Sequence, residues 1–400
     1  MLESILTFLK SMGTYKLFNS DTYFLKYLTM YVIVGILIYL AIVKKFEPLL
    51  LLPIAVGMLL TNLPGTEMFH LEWFINSEGS FDFLTVLNNE KVGLIDLLYL
   101  GVKLGIYPSL IFLGIGAMTD FTPLISNPKS LLIGAGAQLG VFVAFSGAFL
   151  SGVFTLAEAA SIGIIGGADG PTAIIVTKTL APHLLGAIAI AAYSYMALIP
   201  MIQPPIMRMM TTKKERAIKM TSLRKVSQFE KIVFPILVTF VVCLIVPTAG
   251  PLIGCLMFGN LLNVCGVTAR LSSVVQNGLM NAITVFLGIS VGATATADNF
   301  LSLKTILIVV LGLVAFSIST LGGLLTAKIM NWITRGKINP LIGSAGVSAV
   351  PMAARVSQKE GQKADPSNFL LMHAMGPNVA GVIGSAVAAG VLLSLFNIIA

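Results

Sequence analysis

Long apolar runs separated by short polar clusters dominate this chain, and they are too long for strands and too uniform for amphipathic surface helices. Ten of them read as membrane-crossing helices, at roughly 24–43, 48–62, 97–117, 131–152, 184–205, 231–247, 251–267, 275–293, 304–327 and 370–397. Two further apolar stretches, 155–180 and 338–354, are interrupted by Gly and Pro. Breakers inside hydrocarbon free backbone groups that only protein or a water-lined cavity can satisfy, so these two predict re-entrant or broken hairpins. The expected fold is an all-α integral membrane protein of about 10–11 transmembrane helices plus two broken hairpins. Residues 1–18 carry Glu3, Lys10 and Lys16 among apolar residues, with no small-residue cleavage site. They predict an amphipathic helix on the membrane surface rather than a signal peptide.

Composition sharpens this. The 400 residues are 56% hydrophobic and 10% charged, with a mean hydropathy of +0.93, whereas a soluble domain carries about 25% charged residues. The net charge of +8 reflects loop bias and anionic lipid, not nucleic acid. If the densest basic loop, 208–231, is cytoplasmic and the spans alternate, 18 of the 25 basic residues fall on that side. The 63–96 loop then lies outside, with Glu67, Glu72, Glu78, Asp82, Glu90 and Asp96 against Lys91 alone. Lys10, Lys16 and Lys26 fall on the wrong side. The organisation read from this pattern is 1–96 (surface segment, two helices, acidic external loop), 97–205 (a first half with hairpin 155–180), 206–230 (basic loop) and 231–400 (the second half with hairpin 338–354).

The first hairpin holds Gly166-Gly167-Ala168-Asp169-Gly170-Pro171-Thr172. A charge at mid-depth costs at least ~2.5–3.5 kcal/mol, and an acid at a helix break is how ion-coupled transporters build a cation site. The alternative is a buried turn in which Asp169 caps a helix. The chain also resembles itself. Gly116-Ala117-Met118-Thr119-Asp120-Phe121 is echoed by Gly292 through Phe300, which places Asp298 178 residues after Asp120 and lays the first hairpin over the second. An odd number of crossings separates the two, so the halves would form an inverted repeat with the hairpin tips meeting near the midplane.

At that meeting point the first hairpin offers Asp169, Thr172 and freed carbonyls, and the second offers Asn339, Ser344 and Ser348. All-oxygen ligation with one carboxylate suits a small hard cation, sodium or a proton. Tyr193 and Tyr195 in the 184–205 span are either interfacial aromatics or phenols needing a partner, for which Asp169 is a candidate. Arg355 is either a positive-inside anchor or a fork for a carboxylate arriving from the cytosol. Cys243, Cys255 and Cys265, like His70, His183 and His373, lack metal-ligand spacing.

These runs, with Leu184-Leu185-Gly186-Ala187-Ile188-Ala189, Ala192-Tyr193-Ser194-Tyr195-Met196-Ala197-Leu198, Ile202-Gln203-Pro204-Pro205-Ile206 and Met372-His373-Ala374-Met375-Gly376-Pro377-Asn378-Val379-Ala380-Gly381, resemble the β subunits of the biotin-dependent sodium-pumping decarboxylases. Those enzymes act on oxaloacetate, methylmalonyl-CoA, glutaconyl-CoA or malonate, and the resemblance covers roughly residues 30–400. It implies decarboxylation of carboxybiotin with uptake of a proton, coupled to sodium export across the bacterial cytoplasmic membrane. The family's functional residues fall on Asp169, Tyr195, Asn339, Gly343, Ser348 and Arg355. Asp169, Asn339, Gly343 and Ser348 would serve sodium, Arg355 and Tyr195 carboxybiotin, and Asp169, Tyr195, Ser348 and Arg355 catalysis. Implied partners are a soluble carboxyltransferase α subunit, a biotin carrier domain (no Ala-Met-Lys-Met attachment sequence occurs here) and a small γ/δ-type membrane subunit, around a homotrimer. The rival reading is a stand-alone sodium-coupled carboxylate symporter or sodium/proton antiporter.

Overall fold

The computed structural model describes residues 12–18, 21–74 and 91–399, with Phe8, Lys10 and Val86 as isolated positions. Half of the expected surface helix at 1–18 lies outside the described residues, and Gly13–Phe18 is helical; Glu78, Asp82 and Glu90 of the acidic loop also lie outside them. Everything regular in the described residues is helical.

The elements follow the apolar runs. They are α1 (Asp21–Ile42), α2 (Pro48–Thr61), α3 (Leu94–Lys103), α4 (Ile106–Met118), α5 (Ser130–Leu150), α6 (Leu156–Gly163) and α7 (Gly170–Leu180). After them come α8 (Leu185–Met210), α9 (Gln228–Ile245), α10 (Gly250–Val264), α11 (Ala269–Ala293), α12 (Leu303–Ile333), α13 (Met352–Ala364) and α14 (Leu371–Ile399). Six helices among the described residues are long and apolar enough to cross a membrane, and up to eight if each bent pair is one span. That is fewer than the 10–11 expected, for identifiable reasons. The 97–117 run is broken into α3 and α4, bent by 65° around Gly105, whose φ of 79° is left-handed. The 184–205 run bends by 62°, with Pro200, Pro204 and Pro205 inside the helix. The 48–62 and 251–267 runs form helices of only 14 and 15 residues, about 21–23 Å at 1.5 Å per residue, short of the ~30 Å hydrocarbon core.

The two short helices are sheathed by protein instead. A Cβ on Gly57 of α2 would meet the carbonyl of Ile289 in α11, and one on Gly292 of α11 would meet that of Ile54 in α2. The same reciprocity joins α4 to α10, Gly116 against Leu256 and Gly259 against Leu113. Small residues let backbones approach closely, which is how helices associate in lipid without a hydrophobic driving force. At the end of α2, Asn62 ties the pair together. Its amide donates to the Ala295 carbonyl (2.9 Å) and accepts from the Ala297 N–H (2.8 Å).

One apolar core gathers α1, α2, α3, α11 and the first half of α8. Two others surround the hairpins, one with α5, α10 and α14, the other with α13 and the far halves of α8 and α12. The ion pairs respect the sides that loop charge assigns. Lys26–Asp298 (2.6 Å) and Lys304–Glu158 (2.7 Å) join external groups, and His183 hydrogen-bonds the same Glu158 (2.8 Å). Arg208–Glu360 (2.8 Å), Lys219–Asp365 (3.1 Å) and Lys328–Glu215 (3.4 Å) join cytoplasmic ones. Lys26, on the wrong side by charge counting, is thus neutralised by Asp298.

Candidate functional site

The first hairpin starts from a capping box. Thr155 accepts from the Glu158 N–H (3.2 Å), and the Glu158 carboxylate accepts from the Thr155 N–H (2.8 Å). Helix α6 tightens into a 3-10 turn at Ile164–Gly167, and Ala168 turns left-handed at φ 55°. Asp169 follows in extended conformation as the N-cap of α7. Its carboxylate lies at the positive end of that helix and is only 4% exposed. It accepts from Ser385 Oγ of α14 (2.6 Å) and, at 3.5 Å, from the Thr172 N–H. Asp169 is therefore a helix cap, the alternative its motif allows, and also a buried carboxylate to which no basic side chain among the described residues is hydrogen-bonded.

Breaking the helix frees carbonyls, and neighbouring hydroxyls take them. Ser319 of α12 donates to the Gly166 carbonyl (2.5 Å). Ser348 of the second hairpin donates to the Gly167 carbonyl through its Oγ (2.9 Å) and its N–H (3.2 Å). The two hairpins thus touch at Gly167 and Ser348, one residue pair away from Asp169.

The second hairpin is built differently. It is a 3-10 segment, Pro340–Gly346, followed by a bend at Val347 and Ser348 and a turn at Val350 and Pro351 before α13. Its freed carbonyls are gripped by amides from two spans. Asn378 of α14 donates to Ala345 (3.0 Å) and Val347 (2.7 Å), and Gln203 of α8 donates to Ser344 (2.8 Å). Gly343 packs on the backbone of Gly323 in α12, where a Cβ would meet the Gly323 carbonyl.

These amides leave a consistent residue. Gln138 Oε1, Gln203 Oε1 and Asn378 Oδ1 are buried acceptor oxygens with no partner. Gln138 of α5 is adjacent to both Gly167 and Gly384. Buried polar atoms are normally paired, and each exception calls for an explanation. Of the three, the Gln138 oxygen stands beside Gly167, close to Asp169 in the chain, and an unsatisfied oxygen there is what a small hard cation would satisfy.

Asp169 and Ser348 are brought together; the other expected site residues are not. Asn339 is fully engaged elsewhere, donating to the carbonyls of Arg216 and Ile218 (2.9 Å each) and accepting from the Leu341 N–H (3.0 Å). Asn368 grips the same two carbonyls (3.1 Å each), so Asn339 anchors the hairpin to the cytoplasmic loop rather than closing a shell around Asp169. Neither tyrosine bonds Asp169. Tyr195 donates to the Val309 carbonyl of α12. It is Tyr193 whose ring packs on Gly170, with its hydroxyl buried and unpartnered. Arg355 is exposed on α13, and its guanidinium makes no hydrogen bond among the described residues. Close by along the same helix, Glu360 receives Arg208 in a two-pronged bond (2.8 and 2.9 Å) and Lys363 (2.5 Å). Burial disfavours charge on Glu360, but those two cations outweigh it and hold its carboxyl below the ordinary range. A cavity of about 350 Å³ opens there among Arg208, Lys213, Arg216 and Lys363.

Gln138, Ser385 and Asn378 were missed on sequence. Gln138 carried a signal, as the one amide inside the apolar run 131–152.

A buried carboxylate at a helix break, with the Ser385 and Ser348 hydroxyls close by, inside a polytopic helical protein fits an ion-handling membrane protein. The chain belongs to the family described as the Na+-transporting oxaloacetate decarboxylase beta subunit, which it matches over residues 26–396. It is 60% identical to the methylmalonyl-CoA decarboxylase subunit beta of Propionigenium modestum over 402 residues, 99% of this chain and 100% of that one. It is 57% identical to the glutaconyl-CoA decarboxylase subunit beta of Acidaminococcus fermentans, covering 90% of each chain. With the oxaloacetate decarboxylase beta chain of Klebsiella pneumoniae it shares 52% identity, over 90% of this chain and 92% of that one. The chain is accordingly a multi-pass membrane subunit of a sodium-pumping decarboxylase complex, and the stand-alone transporter reading falls away.

Proposed function

We propose that this subunit decarboxylates carboxybiotin carried to it by a partner domain and uses the reaction to export sodium. The observation that carries the reading is the buried Asp169 carboxylate, with the unpaired Gln138 amide oxygen beside the neighbouring Gly167. Sodium, the cargo, would be held by Asp169, Ser348 and the Gly167 carbonyl, with Ser385 Oγ and the Gln138 amide oxygen available to complete the shell. Gly343 serves by letting the second hairpin seat against α12, and Asn339 by anchoring that hairpin.

At the cytoplasmic side the unpaired Arg355 fork would hold the carboxylate of carboxybiotin. The bond between the ring nitrogen and the carboxyl carbon breaks, CO2 leaves, and the electron pair stays on nitrogen, which takes a proton. Tyr195 is the family's candidate donor. To serve, it must leave the Val309 carbonyl; Tyr193, unpartnered beside Gly170, is its competitor. Exporting each sodium against ~100 mV costs ~2.3 kcal/mol. We also infer that the halves are inverted repeats. Pairing of α2 with α11 and of α4 with α10 through reciprocal glycines is what a two-fold relation matching α2 to α10 and α4 to α11 would produce. Carboxyltransferase α, biotin carrier and small γ/δ-type subunits, arranged around a trimer, are the partners this function requires.

The test is release of CO2 from free carboxybiotin by the purified chain in proteoliposomes, with radioactive sodium flux followed alongside. Sodium-dependent release that also moves sodium is expected. Sodium movement indifferent to carboxybiotin would overturn the reading, as would continued inactivity after the partner subunits are added.

A further inference from the structure

Helix α12 has 31 residues, about 46 Å at 1.5 Å per residue, so it outreaches the ~30 Å hydrocarbon layer. Its surplus end enters the cytoplasmic headgroup zone, where the chain turns back at Arg335 (φ 55°) and Gly336 (φ 85°). A cleft of about 520 Å³ opens there. Its wall is apolar, with Leu325 44% and Ile329 57% exposed, and Trp332, 82% exposed, stands at its lip. Its cations are Lys328 and Arg335, and its acid is Glu215. Lys328 is partly committed, to the Met210 carbonyl (3.1 Å) and to Glu215 (3.4 Å). The Arg335 guanidinium makes no hydrogen bond or ion pair among the described residues.

We propose that this cleft is a binding site for an anionic phospholipid of the cytoplasmic leaflet. The phosphodiester would be met by Arg335 and Lys328, the glycerol region by Trp332, and an acyl chain by Leu325 and Ile329. Basic clefts at the cytoplasmic ends of spans suit acidic headgroups, and tryptophan favours that depth. Charge complementarity together with an apolar wall selects a lipid over a free phosphate, which has no use for Leu325, Ile329 or Trp332. Occupation joins the end of α12 to the 211–216 segment, whose Arg216 carbonyl is gripped by Asn339. The lipid therefore braces the entry to the second hairpin.

The experiment is native mass spectrometry of the full-length chain in mild detergent, titrated with phosphatidylglycerol or phosphatidylcholine. Preferential retention of phosphatidylglycerol is expected. Arg335→Gln should weaken it about fivefold, and Glu215→Gln, which keeps its capping role but removes the competing charge, should strengthen it by about the same factor. Opposite signs in the two variants exclude misfolding as the cause. Equal retention of both lipids, indifference to both substitutions, or displacement by equimolar inorganic phosphate would overturn the proposal.

Discussion

The two broken hairpins occupy comparable places in the chain and solve the same backbone problem in opposite ways. The first ends in a regular helix, α7, whose N-terminus faces a buried carboxylate, and it lends its own carbonyls to hydroxyls from α12 and the second hairpin. The second carries no charge before Arg355, has its carbonyls gripped by Gln203 and Asn378, and runs out into α13, which buries one face and shows Arg355, Lys359 and Lys363 on the other. On the proposed function, the first hairpin holds the ion in the dry interior and the second couples that interior to what arrives from the cytosol. Ser348 belongs to the second and bonds to the first, so on that reading it is where ion occupancy and cytoplasmic events meet.

That division can be broken experimentally. Asp169→Asn should take sodium-dependent decarboxylation and sodium flux to background while the protein still inserts; near-normal flux would remove the carboxylate from the ion site. Ser348→Ala strips the hydroxyl bond to the Gly167 carbonyl and leaves it the Ser348 N–H alone, at roughly 0.5–1.5 kcal/mol for one hydrogen bond. It should weaken sodium activation by up to about tenfold, and an unchanged sodium titration would separate the hairpins functionally. Arg355→Lys replaces a fork by a point charge. It should raise the carboxybiotin KM about tenfold, on the order of one charge-assisted hydrogen bond, with sodium activation untouched. A sodium shift as large as that of Ser348→Ala would collapse the distinction. Finally, Tyr195→Phe and Tyr193→Phe should differ in turnover at constant sodium affinity. Loss with Tyr195→Phe alone means the phenol leaves the Val309 carbonyl during the cycle, and loss with Tyr193→Phe alone assigns the proton to the residue already beside Gly170.

Much of the site was legible because its chemistry is unusual for its surroundings. Asp169 announces itself as an acid within an apolar run, and Gly and Pro beside it mark the break. Ser348 could be paired with that break because the expected inverted repeat would bring the two hairpin tips together. Asn339 looked equally eligible, yet it lies at the mouth of the second hairpin, where the Arg216 and Ile218 carbonyls need a donor. The tyrosines are two residues apart on a helix, so they face different neighbours, and only the rotation of α8 selects which one meets the first hairpin.

Local composition determined the membrane class, the two breaks, the loop charge and the acid, since desolvation cost and backbone freedom depend on the residue and its immediate neighbours. Only the tertiary structure decided that α2 and α10 are too short to span unaided and are sheathed through glycines. It also decided that Lys26 is neutralised by Asp298 and that Gln138, beside Gly167, and Asn378, on the second hairpin, each leave a buried oxygen unpaired. Those outcomes depend on which faces of helices distant in sequence are pressed together. Hydrogen-bond donors and acceptors are satisfied only by what stands within about 3 Å of them, and no run of residues states that in advance.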